Sequence, residues 1–194
     1  MALSGAPVLE LGHPALRQVC TPVGRLDAAL ADGAGTLQAT LAAFRAAHGF
    51  GRAIAAPQIG VLRRLVAMDL GAVAYPDGER GPLLLVDPEL TWKSDETFTL
   101  WDDCMSFPWL LVRLRRHESV SLSFRDATGR ERRWERVPRA LAELLQHELD
   151  HLDGVLAVDR AEAAAPGLDA VIGRAVFAAE PGRYRAQVDY LIGE

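Results

Sequence analysis

The spacing of apolar positions changes twice along the chain, and the changes mark out its elements. Residues 27–47, DAALADGAGTLQATLAAFRAA, put Leu37, Leu41 and Phe44 on one stripe at helical spacing, which predicts a first helix ended by His48 and Gly49. The preceding VLELGHPALRQVCTPV is too broken by Gly and Pro for a long element; it is expected to run extended over the core, with His13 as a turn residue. After a Gly-rich turn and AAPQIG the pattern shortens to β-like runs: RRLVAMDL, PLLLVDPEL, TFTLW, LLVRL, SVSLSFRD and RERRWERV. ATG at 127–129 predicts a hairpin turn between the last two. Pro138 then opens PRALAELLQHELDHLDG, where Pro suits the first helical position and Gly154 the far end, so a second helix is predicted there. From Arg160 onward the chain is Ala-rich and broken at Pro166 and Pro181, which predicts a short helix plus an extension. With no internal repeat or low-complexity linker, these elements make one α+β domain.

A chain of 194 residues is long enough for one domain with a real core. A net charge of -5, with the bases of RERRWER interleaved by acids, gives no electrostatic footprint for nucleic acid. The N-terminal residues lack a basic segment followed by an apolar run, and nothing approaches the roughly 18 apolar residues of a membrane span, so no membrane partner and a cytoplasmic location are expected. Cys20 and Cys104 lie far apart in sequence; in such a chain each is expected to be a free thiol or a metal ligand.

The second helix carries QHELDH. Its His147 and His151 stand one turn apart on one face, close enough to share an ion, and Leu144 lies on that face with Leu141, Leu145 and Leu152 flanking it. Histidines aimed at an apolar interior are costly without partners, whereas neutral imidazoles on a cation are satisfied. Glu148 would then lie beside the ion, placed to move a proton. The plainer alternative is a charged helix face in which Glu148 and His151 contact only their neighbours. A third ligand separates the two. An extended zinc motif ending in a third histidine fails because Ala157 stands there, Glu162 and Glu180 are available in Ala-rich surroundings, and Cys104 in WDDCMSFP is either a thiolate ligand or a small buried core residue. Two imidazoles and one thiolate leave a position open for water, which suits catalysis.

GRAIAAPQIG (51–60), DDCMS (102–106) and QHELDH (146–151), in that order, resemble the three motifs of the peptide deformylases, GxGxAAxQ, EGCLS and QHExDH. The likeness extends to GHPALRQVCTPV, DPEL and HLDGVLAVD and covers most of residues 7–160, with 161–194 as an extension of the same domain. It implies a single α+β domain of short antiparallel sheets around a central His-Glu-x-x-His helix, with an N-terminal helix and a C-terminal helical tail. It also implies one divalent metal on Cys104, His147 and His151, natively iron(II), with zinc, nickel or cobalt as substitutes. Water activated there would attack a formyl carbonyl, Glu148 would pass the proton to the departing amine, and Gln58 with the backbone N–H of Met105 would hold the oxyanion. The implied substrate is an N-formylmethionyl peptide from nascent, ribosome-associated chains. Two other functions stay open: an amidase for another small N-formyl or N-acyl compound, and a non-catalytic metal-binding protein, against which Glu148 argues.

Departures from the motifs cluster beside the expected site. Ala53 replaces a glycine and would be strained if that position needs positive φ. Asp102 and Asp103 replace Glu-Gly; Asp102 is expected to pair with Arg116, while Asp103 and Glu143 are placed to recharge or narrow the pocket. Arg52 is the obvious partner for one of those acids. Gly51, Arg52, Ala53, Asp103, Glu143 and Leu144 are therefore the expected substrate-lining residues.

Overall fold

The apolar runs that do not alternate with polar residues belong to strands covered on both faces. In the computed structural model, which describes residues 5–24, 28–162 and 167–193, β1 (Ala53–Ala55), β2 (Leu65–Met68) and the first half of β3 (Leu83–Lys93) are buried at almost every position. With β6 (Val120–Arg125) and β7 (Glu131–Val137) they form an antiparallel sheet in the order β1-β2-β3-β6-β7. Successive side chains on a strand point to opposite faces. Val66, Met68 and Leu85 therefore pack with Leu141, Leu145 and Leu149 of the helix α2 (Arg139–Leu152). Leu65, Ala67, Leu84 and Val86 pack with Leu37, Leu41 and Phe44 of α1 (Ala28–His48). The expected helix start at Asp27 and the break at Pro166 lie outside the described residues.

A second antiparallel sheet runs β4-β5-β8, from β4 (Thr97–Asp102), β5 (Leu110–His117) and β8 (Val171–Gly173). Phe98, Leu100, Val112 and Leu114 cover one face with Phe107 and Tyr190, and Trp101 and Leu111 cover the other with Ile172 and Tyr184. The three residues of β8 were not expected: they carry too little pattern by themselves and are held by pairing Ile172 with Leu111 of β5. They are followed by α3 (Arg174–Ala179) and α4 (Pro181–Arg185), so the tail is a strand and two short helices followed by turns. β1 was also unread, since AIA is too short for a period. No helix among the described residues is long and apolar enough to cross a membrane.

α2 packs on both β1 and β5 and so joins the two sheets. Gln146 fixes this placement: its Oε1 accepts from the N–H of His117 and its Nε2 donates to the carbonyl of His117, each at 3.0 Å, as a neighbouring strand would. Pro138 caps the helix from one residue outside it, in extended conformation, and its carbonyl accepts from Ala142 N–H at 2.9 Å. The opening segment is extended, apart from a short turn at Pro14–Arg17 that buries Leu16. It braces the loops around α2: Leu9 N–H donates to Gln58 O at 2.8 Å, Leu11 N–H to Ser106 O at 2.9 Å, and Cys20 N–H to Leu152 O at 2.8 Å.

Gly154 ends α2 at φ 71°, and a Cβ there would lie 2.7 Å from the carbonyl oxygen of Arg17. Gly78, at φ 87°, has nothing within 4 Å of the same position. Gly154→Ala is expected to destabilise the protein by roughly 2–4 kcal/mol, the sum of a left-handed alanine and a backbone clash. Gly78→Ala should cost only about 1 kcal/mol, from the backbone alone. Urea unfolding of both variants measures the difference; equal losses would remove the clash from the account.

Candidate metal centre

β4 ends at Asp102, and the turn after it brings Cys104 against α2. There Cys104 Sγ lies 3.3 Å from Nε2 of His151, and the Nε2 atoms of His147 and His151 are 3.2 Å apart. All three residues are buried, and their ligand atoms lie within 4.8 Å of one another. The two acids that the sequence offered as third ligands are engaged elsewhere, Glu162 in ion pairs with Arg113 and Arg115 and Glu180 with Arg183.

Asp102 orients the first histidine. Its Oδ2 meets Nδ1 of His147 at 3.0 Å and accepts from Nη2 of Arg116 at 3.0 Å, the pairing expected from sequence. Arg116 also donates to Asp150 at 2.5 Å, and Asp150 is held by two nitrogens of Arg160 at 2.6 Å. Burial alone would raise the Asp102 carboxyl, but His147 and Arg116 hold it well below the usual carboxylate range. Burial alone would lower His147, and the Asp102 carboxylate outweighs it and pushes the ring up. Burial and the neighbouring His147 push His151 down, so that ring is neutral, and burial pushes the Cys104 thiol up.

Two ring nitrogens and a sulfur converge here within hydrogen-bonding distance of one another. With Nδ1 of His147 turned to Asp102, its Nε2 faces His151 and would offer its lone pair to a bound cation. The His151 Nδ1 is buried without a hydrogen bond among the described residues. A divalent cation satisfies the whole set at once, taking a thiolate and two neutral imidazoles. The donor set fits a single metal ion.

A cavity of about 250 Å³ opens beside these ligands. Gly51, Arg52, Ala53, Asp103, Glu143 and Leu144 all line it, together with Gln58, Met105 and Glu148. The Glu148 carboxyl is buried, its Oε2 has no hydrogen-bond partner among the described residues, and desolvation pushes it up to about 7. Gln58 is fixed by both ends of its amide: Oε1 accepts from Ala55 N–H at 2.9 Å, while Nε2 donates to Ser106 Oγ at 3.1 Å and lies 3.7 Å from Cys104 Sγ.

The charged departures each have a partner. Arg52 Nη2 donates to Glu143 Oε1 at 2.5 Å and Nη1 to Ala140 O at 3.0 Å; burial still pushes Glu143 up to about 7. Asp103 turns to Arg174, whose Nη2 lies 2.9 Å from its Oδ2. Ala53 is unstrained: positive φ among non-glycine residues falls at Asp87 and Arg136, and Ala53 pairs with Met68 as ordinary strand. Phe50, Arg45 and Ile192 also line the cavity and were not read from the sequence. Phe50 adjoins the first motif and was within reach; Ile192 had no signal at all.

A family model described as polypeptide deformylase matches residues 6–166. A peptide deformylase of Prochlorococcus marinus is 35% identical over 160 residues, covering 81% of this chain and 75% of the relative. That of Phenylobacterium zucineum is 37% identical over 152 residues, covering 78% and 85%. A crystal structure of a peptide deformylase from Synechococcus elongatus in complex with actinonin superposes with a TM-score of 0.72 at 31% identity, over 84% of this chain and 82% of that one. The ordered motifs, the converged ligand set and these likenesses agree: the chain belongs to the polypeptide deformylase family.

Proposed function

We propose that this chain is a metal-dependent hydrolase that removes the N-formyl group from N-formylmethionyl peptides of nascent proteins and releases formate. The observation that carries the reading is the convergence of Cys104, His147 and His151 beside a buried Glu148 with an uncommitted oxygen. A metal bound by the three would supply Lewis acidity, lowering the pKa of a water and polarising the formyl oxygen.

The chain's own residues supply the remainder. Glu148 takes the proton of the attacking water through its free Oε2 and returns it to the departing amine nitrogen. Gln58 Nε2 and the Met105 N–H donate to the oxygen on which charge develops; the Gln58 amide is held for that task by Ala55 and Ser106. Asp102 keeps the Nδ1 proton on His147, and Arg116 keeps Asp102 ionised. Gly51, Arg52, Ala53, Asp103, Glu143 and Leu144 shape the space around the formylated residue.

Iron(II) is the native metal in this reading, and zinc, nickel and cobalt are substitutes; two imidazoles with one thiolate suit all four. Residues 1–160 are the hydrolase unit and 161–194 its extension. The enzyme works in the cytoplasm on chains emerging from ribosomes, without contacting nucleic acid.

Glu148→Ala should lower kcat for formyl-Met-Ala-Ser about 10²–10⁴-fold with metal content unchanged. Formate release and atomic absorption on the same preparation measure both, and undiminished hydrolysis would remove Glu148 from the mechanism. Asp102→Asn should weaken metal binding about 10–100-fold, read by competition with a chromogenic chelator. Protein stripped of metal and reloaded anaerobically should release most formate with iron(II). A preparation active on other formyl amines and inert towards formyl-Met peptides would overturn the substrate assignment.

A further inference from the structure

The family match ends at residue 166, yet the segment beyond it reaches the site. β8 pairs with β5 through Ile172 and Leu111, which starts the segment along the second sheet. At its far end Asp189 Oδ2 accepts from both the N–H of Thr99, at 2.9 Å, and its hydroxyl, at 2.8 Å. The N–H of Tyr190 donates to Thr99 O at 3.1 Å, and its ring meets Phe98 edge-on at 5.6 Å. Thr99 lies on β4, the strand that ends at Asp102 and leads into Cys104, so the segment hangs from the strand that delivers one of the three ligands. Held in this way, Ile192 lines the cavity and packs against the cluster that contains Cys104.

Arg174 ties the other end of the segment to the mouth of the same cavity. Its Nη2 pairs with Asp103 at 2.9 Å, its Nε donates to Pro108 O at 2.8 Å, and its guanidinium stacks over Phe50 at 4.3 Å from the ring centre. Asp103, which stands in place of a glycine beside Cys104, is thereby neutralised from outside the family match. With its charge met, the neighbouring walls are Phe50, Met105, Leu144 and Ile192. A cavity of about 250 Å³ has room for a formyl group and one medium-sized side chain, so bulk at a single wall decides what fits.

We propose that the segment 167–193 supplies one wall of the substrate pocket through Ile192, a specificity-determining residue, with Arg174 as the residue that positions the segment against Asp103. The proposal rests on the deformylase reading for its substrate and on the geometry for the wall. An apolar wall at Ile192 accepts an unbranched apolar side chain such as that of methionine, and a larger residue there competes with it for space.

The test uses the full chain, loaded with metal, and formyl-Met-Ala-Ser, formyl-Ala-Ala-Ser and formyl-Phe-Ala-Ser. Ile192→Phe should lower kcat/KM for the formyl-Met peptide about tenfold while changing the formyl-Ala peptide less than twofold; Ile192→Ala should raise the formyl-Phe peptide relative to formyl-Met about fivefold. Arg174→Met should raise KM about fivefold at unchanged kcat, and Arg174→Lys should restore most of the loss. Independently of turnover, the δ1 methyl resonance of Ile192 in the unaltered protein should shift on titration with Met-Ala-Ser, alongside the methyls of Leu144. Equal effects on all three substrates, or Leu144 responding while Ile192 stays fixed, would overturn the wall. A responding Ile192 with no formate from any substrate would sink the deformylase reading and leave the wall standing.

Discussion

Asp102 lies in the protein interior with two donors on one carboxylate oxygen, the His147 ring and the Arg116 guanidinium, each at 3.0 Å. A carboxylate so placed is tolerable only while those partners stay: stripping one partner from a buried ion pair typically costs about 3–5 kcal/mol. Arg116 in turn needs Asp150, because its single positive charge is as buried as the acid it serves. Asp102 closes β4, Arg116 sits on β5, and His147 and Asp150 lie on α2. Satisfying the charges therefore requires three elements to meet in one arrangement, and the same arrangement aims the His147 Nε2 at Cys104. The electrostatics of the interior and the geometry of the metal centre are one constraint.

The other two acids beside the site, Glu143 and Asp103, fall outside this network and are met separately. Glu143 is buried one turn before His147, and Arg52 reaches it from beside β1. Asp103 is met by Arg174 from the tail. Partly exposed pairs of the Asp103–Arg174 kind contribute little to stability, about 0–1 kcal/mol. Their weight lies in the pocket, where each removes a bare charge that a formylated peptide would have to desolvate.

Much of this was legible in the sequence where the pattern was long or the chemistry local. Leu144 shares a helix face with His147 and His151, and Leu141, Leu145 and Leu152 flank it, so α2 and the aim of its histidines followed from the helix period. β2 and the start of β3 showed as unbroken apolar runs because α2 and α1 cover their two faces. Cys104 as the third ligand needed the ordered motifs, for nothing in the spacing of residues 104 and 147 brings them together. β1 and β8, at three residues each, exist through their partners and left no period to read. Arg174 and Ile192 were invisible for a related reason: they reach the cavity because the tail pairs with β4 and β5, and an isolated arginine or isoleucine in an Ala-rich stretch carries no trace of that pairing. Even Asp103, correctly read as a charge beside the ligand, could not be given its partner, which comes from 71 residues later.

Gln146 supplies both halves of an amide to both halves of the His117 peptide unit. A side chain that imitates a strand in this way fixes the height and rotation of α2 against β5 as firmly as a ladder fixes two strands, with the helix one residue short of its first metal ligand. The socket for the cation is thus built by hydrogen bonds that owe nothing to the cation. For an ion held by Cys104, His147 and His151, loss or exchange would then be a ligand-substitution event within a standing scaffold, unlike small metal-folded domains in which removing the ion dissolves the structure around it.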